Sequence, residues 1–191
     1  MNIKTKALDK DQYELIIATI RNGFTHNGKE FKPNNRLATA LVVQANLGCR
    51  ISDILKLTLS DIVKECGRYR LDIVEQKTGK KRDFTVPTAL YDYLVKYTED
   101  NHISKQARIF PVGERAVQKQ LKIVTDYFGF ESISTHSFRK FYGTEIYYAN
   151  DCDIELVRQL YQHSSTAVTQ QYIGVSNKRI DNAINKHLCI A

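Results

Sequence analysis

The sequence predicts a mainly α-helical domain with one small three-stranded antiparallel β-sheet, an α+β fold. Along most of the 191-residue chain, apolar residues recur every three or four positions, as they do on one face of a helix. In one stretch they alternate with polar residues instead: Tyr69, Leu71 and Ile73 are separated by Arg70 and Asp72, which is typical of a half-buried strand. A single domain of this length buries about 70% of its unfolded surface, which is enough for a sizeable core.

Two helices are predicted ahead of the sheet. Asp9 is a suitable N-cap for the first, whose apolar face consists of Tyr13, Ile16, Ile17 and Ile20. The second, residues 34–47, is apolar nearly all round, as expected of a central buried helix, and Gly48 ends it. The polar, glycine-containing segment 22–33 between them is predicted to be a loop.

The sheet is predicted to form from three strands between residues 62 and 86. Residues 62–66 form the first strand, Gly67 makes a turn, and the alternating segment around Leu71 forms the second. The Lys-Thr-Gly-Lys segment 77–80 is a hairpin turn, after which residues 82–86 return as the third strand.

Helices dominate the rest of the chain. One is predicted at 89–100, and a second has one apolar face closed by Gly129. Lys119 and Lys122 fall on the polar side of that second helix, which either faces DNA or is a solvated basic surface. A last helix carries an apolar stripe that packs on a neighbouring protomer or folds back on its own domain: Ile180, Ala183, Ile184 and Leu188.

Charge and cysteine usage limit the classes of function. Lys and Arg number 28 against 21 Asp and Glu, a formal net charge of +7, which favours an anionic partner such as nucleic acid, although a basic composition alone also suits other proteins. The four cysteines form no C-x-x-C pair and no zinc-finger spacing, so we expect reduced thiols and no metal site. No apolar run has the form of a signal peptide or a membrane span, so we expect no membrane partner.

The clearest chemistry lies between Thr135 and Gly174. His136 and Arg139 are three residues apart near the start of a predicted helix that Thr135 caps, so both side chains share one face. The first turn of a helix adds free N–H groups and the positive end of a dipole. Together these features indicate an anion site that suits a phosphate.

A second histidine and a tyrosine follow. His163 comes after a short predicted helix, and Tyr172 lies nine residues later, at the end of a helical run that Ser164 or Ser165 caps. Each piece alone is more often structural than catalytic. Their order resembles the tyrosine recombinase family, also called phage-type integrases, which carries H-x-x-R, then L-G-H-x-x, then a nucleophilic tyrosine. Here the middle segment 161–165 is Tyr-Gln-His-Ser-Ser, so the leucine and glycine are replaced.

An earlier segment, 48–55, matches the family's G-x-R-x-S-E-x-L box, with Asp53 where glutamate is commoner. The resemblance makes Arg50 the first catalytic arginine, and a planar guanidinium can grip two phosphate oxygens at once. Asp53 is expected to orient either Arg50 or the turn around it. The resemblance also places a catalytic lysine on the hairpin, where Lys77 is the first choice and its neighbours Lys80 and Lys81 are the alternatives.

The resemblance implies the catalytic-domain fold of a tyrosine recombinase, with residues 1–191 as a single catalytic domain. The separate N-terminal core-binding domain of full-length members is expected to be absent, so the chain is either a fragment or a minimal member. The implied activity is cutting and rejoining of DNA strands through a covalent 3′-phosphotyrosine, without metal or nucleotide cofactor.

The resemblance also assigns a role to each residue. Tyr172 attacks the phosphate and His136 accepts its proton. Charge on the phosphate is neutralised by Arg50 and Arg139, with a hydrogen bond from His163. Lys77 protonates the leaving 5′-oxygen.

The expected partners are double-stranded DNA, further copies of the chain in a tetramer on DNA, and a DNA-bending accessory protein. Such a protein belongs to a phage or other mobile element and is expected in the cytoplasm of a prokaryote, at the nucleoid. Two other functions stay open: a type IB topoisomerase, which shares the chemistry but relaxes supercoils, and a silent DNA-binding relative. The complete residue set favours an active enzyme.

Overall fold

The structure, a computed structural model, describes residues 5–174, 180–181, 184–185 and 187. These residues form a mainly α-helical fold with two small antiparallel sheets. In chain order the elements are α1 (Lys10–Asn22), β1 (Phe24–His26), β2 (Lys29–Phe31), α2 (Asn35–Leu47), α3 (Ile51–Ile54), β3 (Ile62–Glu65), β4 (Arg68–Val74), β5 (Lys81–Val86), α4 (Thr88–Asp100), α5 (Glu114–Tyr127), α6 (Thr135–Ala149), α7 (Ile154–Tyr161) and α8 (Thr166–Gln170). The predicted fold class is confirmed.

Helix α2 is the centre of the helical core. Its side chains are buried over most of its circumference, and it packs against α1, α3 and α6. The Asn34 side chain caps its N-terminus by accepting from the Leu37 N–H at 3.0 Å. On the adjoining side, Tyr13 of α1 stacks on Phe141 of α6 with 4.9 Å between ring centroids. This packing fixes α6, which carries two of the predicted site residues.

The three-stranded sheet has the order β3-β4-β5, with every pair antiparallel. Leu71 at its centre is fully buried and lies opposite Ile62 on one side and Phe84 on the other. The turn between β4 and β5 is closed by the Glu75 N–H, which donates to the Lys80 carbonyl at 2.9 Å. The prediction of three strands is therefore confirmed, and the turn presents Lys77 at one end of the sheet.

The predicted loop at residues 22–33 is wrong, because this segment contains the hairpin β1-β2. Asn27 and Gly28 at its tip have φ values of 49° and 72°, the left-handed pair that a tight hairpin turn requires. Phe24 and Phe31 face each other across the strands and stack with 4.9 Å between ring centroids. The aromatic pair thus stabilises two strands too short to show any alternation.

The predicted last helix is only partly described. Ile180 and Ile184 are exposed, whereas Ala183 and Leu188 lie outside the described residues, so the packing of the stripe stays a prediction. Among the residues that the structure describes, no helix is both long and apolar enough to cross a membrane.

Gly48, between α2 and Arg50, should be intolerant of a side chain. Its φ is 61°, and an added Cβ would lie 2.2 Å from the Tyr142 ring. Gly67 has a φ of 77° but open space around it. We expect Gly67→Ala to cost about 1 kcal/mol, for the left-handed backbone alone. Gly48→Ala should cost about 2–4 kcal/mol in urea denaturation, because overpacking adds to that strain. Equal losses would show that the contact with Tyr142 contributes nothing.

Candidate active site

The two predicted arginines share one buried carboxylate. Arg50 follows the Gly48 turn as the N-cap of α3, and Arg139 lies on α6 with its side chain fully buried. The Glu75 carboxylate lies 2.5 Å from Arg50 Nη1 and 3.7 Å from Arg139 Nη1. Arg139 Nη1 also donates to the Gly48 carbonyl at 2.6 Å. One carboxylate and one carbonyl therefore hold both guanidinium groups in place.

Glu75 is a site residue that the sequence reasoning missed. It follows β4 directly, and its side chain is 3% exposed. Its position was foreseeable from the strand period, because Leu71, Ile73 and Glu75 are two residues apart and so share a face. A carboxylate in register with a core-facing row of apolar residues needs a buried cationic partner.

Asp53 acts on the hairpin turn. Its Oδ1 accepts the Gln76 backbone N–H at 3.0 Å, next to the predicted lysine. Asp53 is itself buried. Of the two expectations for Asp53, orienting Arg50 or orienting the turn around it, the hydrogen bond matches neither, since it holds the distant turn between β4 and β5.

Lys77 lies on the wall of a cleft of about 650 Å³ that Arg50, His136 and Tyr172 also line. Its two neighbours are engaged elsewhere. Lys80 Nζ donates to the Gln162 carbonyl at 2.6 Å, and Lys81 Nζ pairs with Asp72 at 3.1 Å. This geometry favours Lys77 over the two alternatives.

The N-terminus of α6 is capped by Ser134, so the prediction of Thr135 as the cap is wrong. Ser134 has the extended backbone of a cap, and its Oγ accepts the His136 N–H at 3.2 Å. Thr135 is the first helical residue. Because the His136 N–H is already bonded, a phosphate would rely more on side chains at this terminus than on that backbone group.

His136 and Arg139 lie about one turn apart on α6. His136 is half-buried at the cleft, while Arg139 lies behind it in the core. Burial, followed by the nearby charges of Arg139, Lys140, Arg50 and Lys77, lowers the pKa of His136 to about 4. The imidazole is therefore neutral at pH 7 and able to accept a proton.

Tyr172 lies between the two predicted histidines. Its ring centroid is 5.1 Å from that of His136 and 4.6 Å from that of His163. His163 is oriented by Thr169, whose Oγ1 is 3.1 Å from Nδ1. Ser165, one of the two predicted caps, caps α8 through the Val168 N–H. The short helix α8 thus delivers Tyr172 to the cleft of its own chain.

Helix α6 also anchors the backbone around Tyr172. Thr144 Oγ1 donates to the Tyr172 carbonyl at 3.3 Å and accepts the Gly174 N–H at 2.9 Å. The Lys140 ammonium lies 5.7 Å from the Tyr172 ring centroid. All six predicted residues therefore meet: four line the cleft, Arg139 lies behind them, and His163 packs on Tyr172.

Helix α5 also lines the cleft. Lys119 and Lys122 are both exposed, but only Lys122 is among the residues that line the cleft, and it pairs with Asp126 one turn along. Of these two predicted DNA-facing lysines, Lys122 is the one at the cleft. In the described part of the chain, no group of three or more His, Cys, Asp or Glu residues is placed to hold a metal ion.

Comparison with known proteins identifies the family of this chain. The sequence model of the Phage integrase family matches residues 6–179. The chain belongs to the phage integrase family. The resemblance drawn from the motifs is thus confirmed.

Individual relatives extend this finding. The probable integrase/recombinase YoeC of Bacillus subtilis (strain 168) is 30% identical over 147 residues, 74% of this chain and 79% of YoeC. Tyrosine recombinase XerC of Corynebacterium glutamicum is 28% identical over 177 residues, 87% of this chain but 54% of XerC. The XerH site-specific recombinase, bound to palindromic difH substrate, has the same fold with a TM-score of 0.68 at 17% identity, covering 94% of this chain and 52% of XerH. The chain thus spans about half the length of XerC and XerH.

This phage integrase family member departs from the motif at Tyr161. Tyr161 is buried and its hydroxyl donates to the Arg139 carbonyl, with its ring 4.5 Å from the Arg139 guanidinium. The close approach requires Gly143, where a Cβ would lie 2.6 Å from the Tyr161 hydroxyl. Burial raises the pKa of the Tyr161 hydroxyl. Tyr161 is therefore a packing residue and a poor rival to Tyr172 as nucleophile.

Removing the charge of Glu75 should destabilise the domain. Glu75→Gln leaves the buried Arg139 guanidinium without its counter-charge, and we expect a loss of about 3 kcal/mol in urea denaturation at pH 7. Asp83→Asn is the matched control, because the Asp83 carboxylate pairs with Arg70 at a half-exposed site. That change should cost less than about 1 kcal/mol. Losses of equal size would contradict a buried structural role for Glu75.

An anion in the cleft should raise the pKa of His136, because it offsets the cations that lower it. We expect the protonation midpoint, followed by NMR of ¹³C-labelled imidazoles, to rise from about 4 by roughly one unit at saturating sulfate. Sodium chloride at matched ionic strength controls for screening. In Arg50→Ala the sulfate effect should shrink. An unchanged midpoint in sulfate would mean that no anion binds beside His136.

Proposed function

We propose that this chain is the catalytic part of a site-specific DNA recombinase that cuts and rejoins strands through a covalent 3′-phosphotyrosine at Tyr172. The observation that carries this proposal is the contact of Tyr172 with His136 and His163 beside the cleft that Arg50 and Lys77 line. A tyrosine, a neutral histidine and several fixed cations are the groups that in-line attack on a phosphodiester needs.

In the proposed reaction the Tyr172 hydroxyl attacks phosphorus and the bond to the 5′-oxygen breaks. The Tyr172 proton passes to His136, which is neutral at pH 7. Lys77 supplies a proton to the leaving 5′-oxygen. A 5′-hydroxyl of another strand then reverses these steps. The covalent intermediate retains the energy of the phosphodiester bond, so no nucleotide cofactor is required.

The arginines stabilise the charge that builds on the non-bridging oxygens. Arg50 lines the cleft, where Glu75 holds its guanidinium in place. We therefore expect Arg50 to contact the phosphate before the buried Arg139 does. Arg139 is covered by the rings of Tyr161 and Tyr172, whose centroids lie 4.5 and 6.0 Å from its guanidinium carbon. We expect Arg139 to reach the phosphate only when Tyr172 turns towards phosphorus, and His163 to add a hydrogen bond there.

The proposed substrate is double-stranded DNA, as the substrate-bound XerH and the net charge of +7 suggest. Exchange between two duplexes requires four cut strands, and each chain offers one Tyr172. We therefore propose a tetramer on DNA, with a DNA-bending protein as a further partner, acting at the nucleoid of a prokaryotic cell. Lys122 on α5 would contact the DNA backbone at the edge of the cleft.

Tyr172→Phe should abolish covalent linkage while DNA binding persists. The substrate is a nicked duplex with the ends of the host element, which traps the intermediate as a gel-stable adduct. Loss of one hydroxyl leaves the ring contacts in place, so affinity in a mobility-shift assay should stay within about twofold, since surface packing changes little.

Tyr161→Phe is the control for this experiment, because it removes a hydroxyl that faces the core instead of the cleft. It should still form the adduct. Adduct from Tyr172→Phe at the wild-type level would overturn the assignment. Relaxation of supercoiled plasmid with no joining of two duplexes would instead indicate a topoisomerase.

A further inference from the structure

Gln162 has a backbone conformation that disfavours its side chain. It ends α7 with φ 53° and ψ 38°, in the left-handed region where glycine is favoured. Glycine is also the residue that the family motif carries before the histidine. A non-glycine residue held in this region is a reason to look for what its side chain does.

The side chain and the backbone of Gln162 both bind the β4-β5 hairpin. Gln162 Nε2 donates to the Lys81 carbonyl at 2.9 Å. The Gln162 carbonyl accepts from Lys80 Nζ at 2.6 Å. These bonds join residues about eighty positions apart in the chain, and they connect the His163 loop directly to the hairpin turn.

The attached turn is the one that carries Lys77. Its far side is held by Asp53, which accepts the Gln76 N–H at 3.0 Å. Lys77 itself is exposed, and within the described residues no hydrogen bond or ion pair holds its ammonium. The position of Lys77 at the cleft therefore depends on how firmly the turn is held from both sides.

We propose that Gln162 is a positioning residue for proton transfer to the leaving 5′-oxygen. By tying the turn to the loop that carries His163, Gln162 fixes Lys77 relative to His163 and Tyr172. The general acid Lys77 and the nucleophile Tyr172 are then placed to act on the same phosphate. This inference rests on the proposed recombinase function. Loose placement of a general acid forfeits part of the roughly 10²–10⁴-fold that such a group contributes.

The test uses Gln162→Gly and Gln162→Asn. Glycine and asparagine both tolerate the left-handed backbone, so the variants should keep or gain thermal stability. Glycine has no side chain and that of asparagine is one methylene shorter, so neither variant makes the hydrogen bond to the Lys81 carbonyl. We expect cleavage of ordinary nicked DNA to slow about 10-fold in both variants. Lys80→Met removes the second bond to the hairpin, and combined with Gln162→Gly it should slow cleavage further.

A sulfur substrate separates positioning of the acid from general damage. When sulfur replaces the bridging 5′-oxygen, the Tyr172 oxygen–phosphorus bond forms, the phosphorus–sulfur bond breaks, and the thiolate leaves with the electron pair and needs no proton. The Tyr172 proton still passes to His136. On this substrate the Gln162 variants should cleave within about twofold of the wild type, as should Lys77→Ala, because acid catalysis is bypassed. Arg50→Ala should stay slow on both substrates.

Hydrogen exchange gives a readout that does not depend on activity. Amides of residues 75–82 should exchange faster in Gln162→Gly than in the wild type, with α2 unchanged. The proposal is overturned if this exchange is unchanged, if both variants cleave ordinary DNA at the wild-type rate, or if they are equally slow on the sulfur substrate. Failure of the wild-type protein to form an adduct on either substrate would instead count against the proposed function, and the exchange result would still decide the role of Gln162.

Discussion

The candidate site depends on one buried positive charge, the guanidinium of Arg139. Taking such a group out of water costs several kcal/mol unless polar partners compensate. Here the Gly48 carbonyl and the Glu75 carboxylate supply that compensation. Gly48 follows α2 and lies two residues before Arg50, and Glu75 follows β4 and lies two residues before Lys77. Because Arg139 on α6 contacts both Gly48 and Glu75, burying its charge aligns the ends of α2 and β4 with α6.

The same charge contributes to the chemistry of the cleft. Burial is the main reason that the pKa of His136 falls to about 4, and the charges of Arg139, Lys140, Arg50 and Lys77 lower it further. The cleft therefore combines several cations with a neutral base. In the proposed reaction a phosphodiester would offset the repulsion among these cations, so the charges that destabilise the site on its own would also favour substrate binding.

The sequence predicts features that depend on neighbouring residues better than features that depend on contacts between distant parts of the chain. Long helices such as α2 and the alternating strand β4 were predicted because their patterns are local and strong. The six site residues were predicted because their order matches a family motif, and the structure brings them together. Glu75 was missed although the strand period points it inward. The β1-β2 hairpin was missed although Asn27-Gly28 is a typical two-residue hairpin turn.

Other features were beyond any sequence pattern. The replacement at Gln162 is visible in the motif, but its bond to the Lys81 carbonyl is not, since no periodicity relates residues so far apart in the chain. Likewise, the choice of Lys77 over Lys80 and Lys81 required the contacts that engage the other two. Local rules place residues on elements, and long-range packing decides which of them meet.

The central claim is that one chain contains the whole site, with Tyr172 acting beside its own arginines. Mixing Tyr172→Phe with Arg50→Ala, each carrying a tag of different size, tests this claim most directly on the nicked duplex. If each chain cleaves with its own tyrosine, neither tagged chain becomes linked to DNA beyond the level of the single variants. DNA linked to the Arg50→Ala chain would show that its tyrosine serves the arginines of another copy, and the single-chain site would be contradicted.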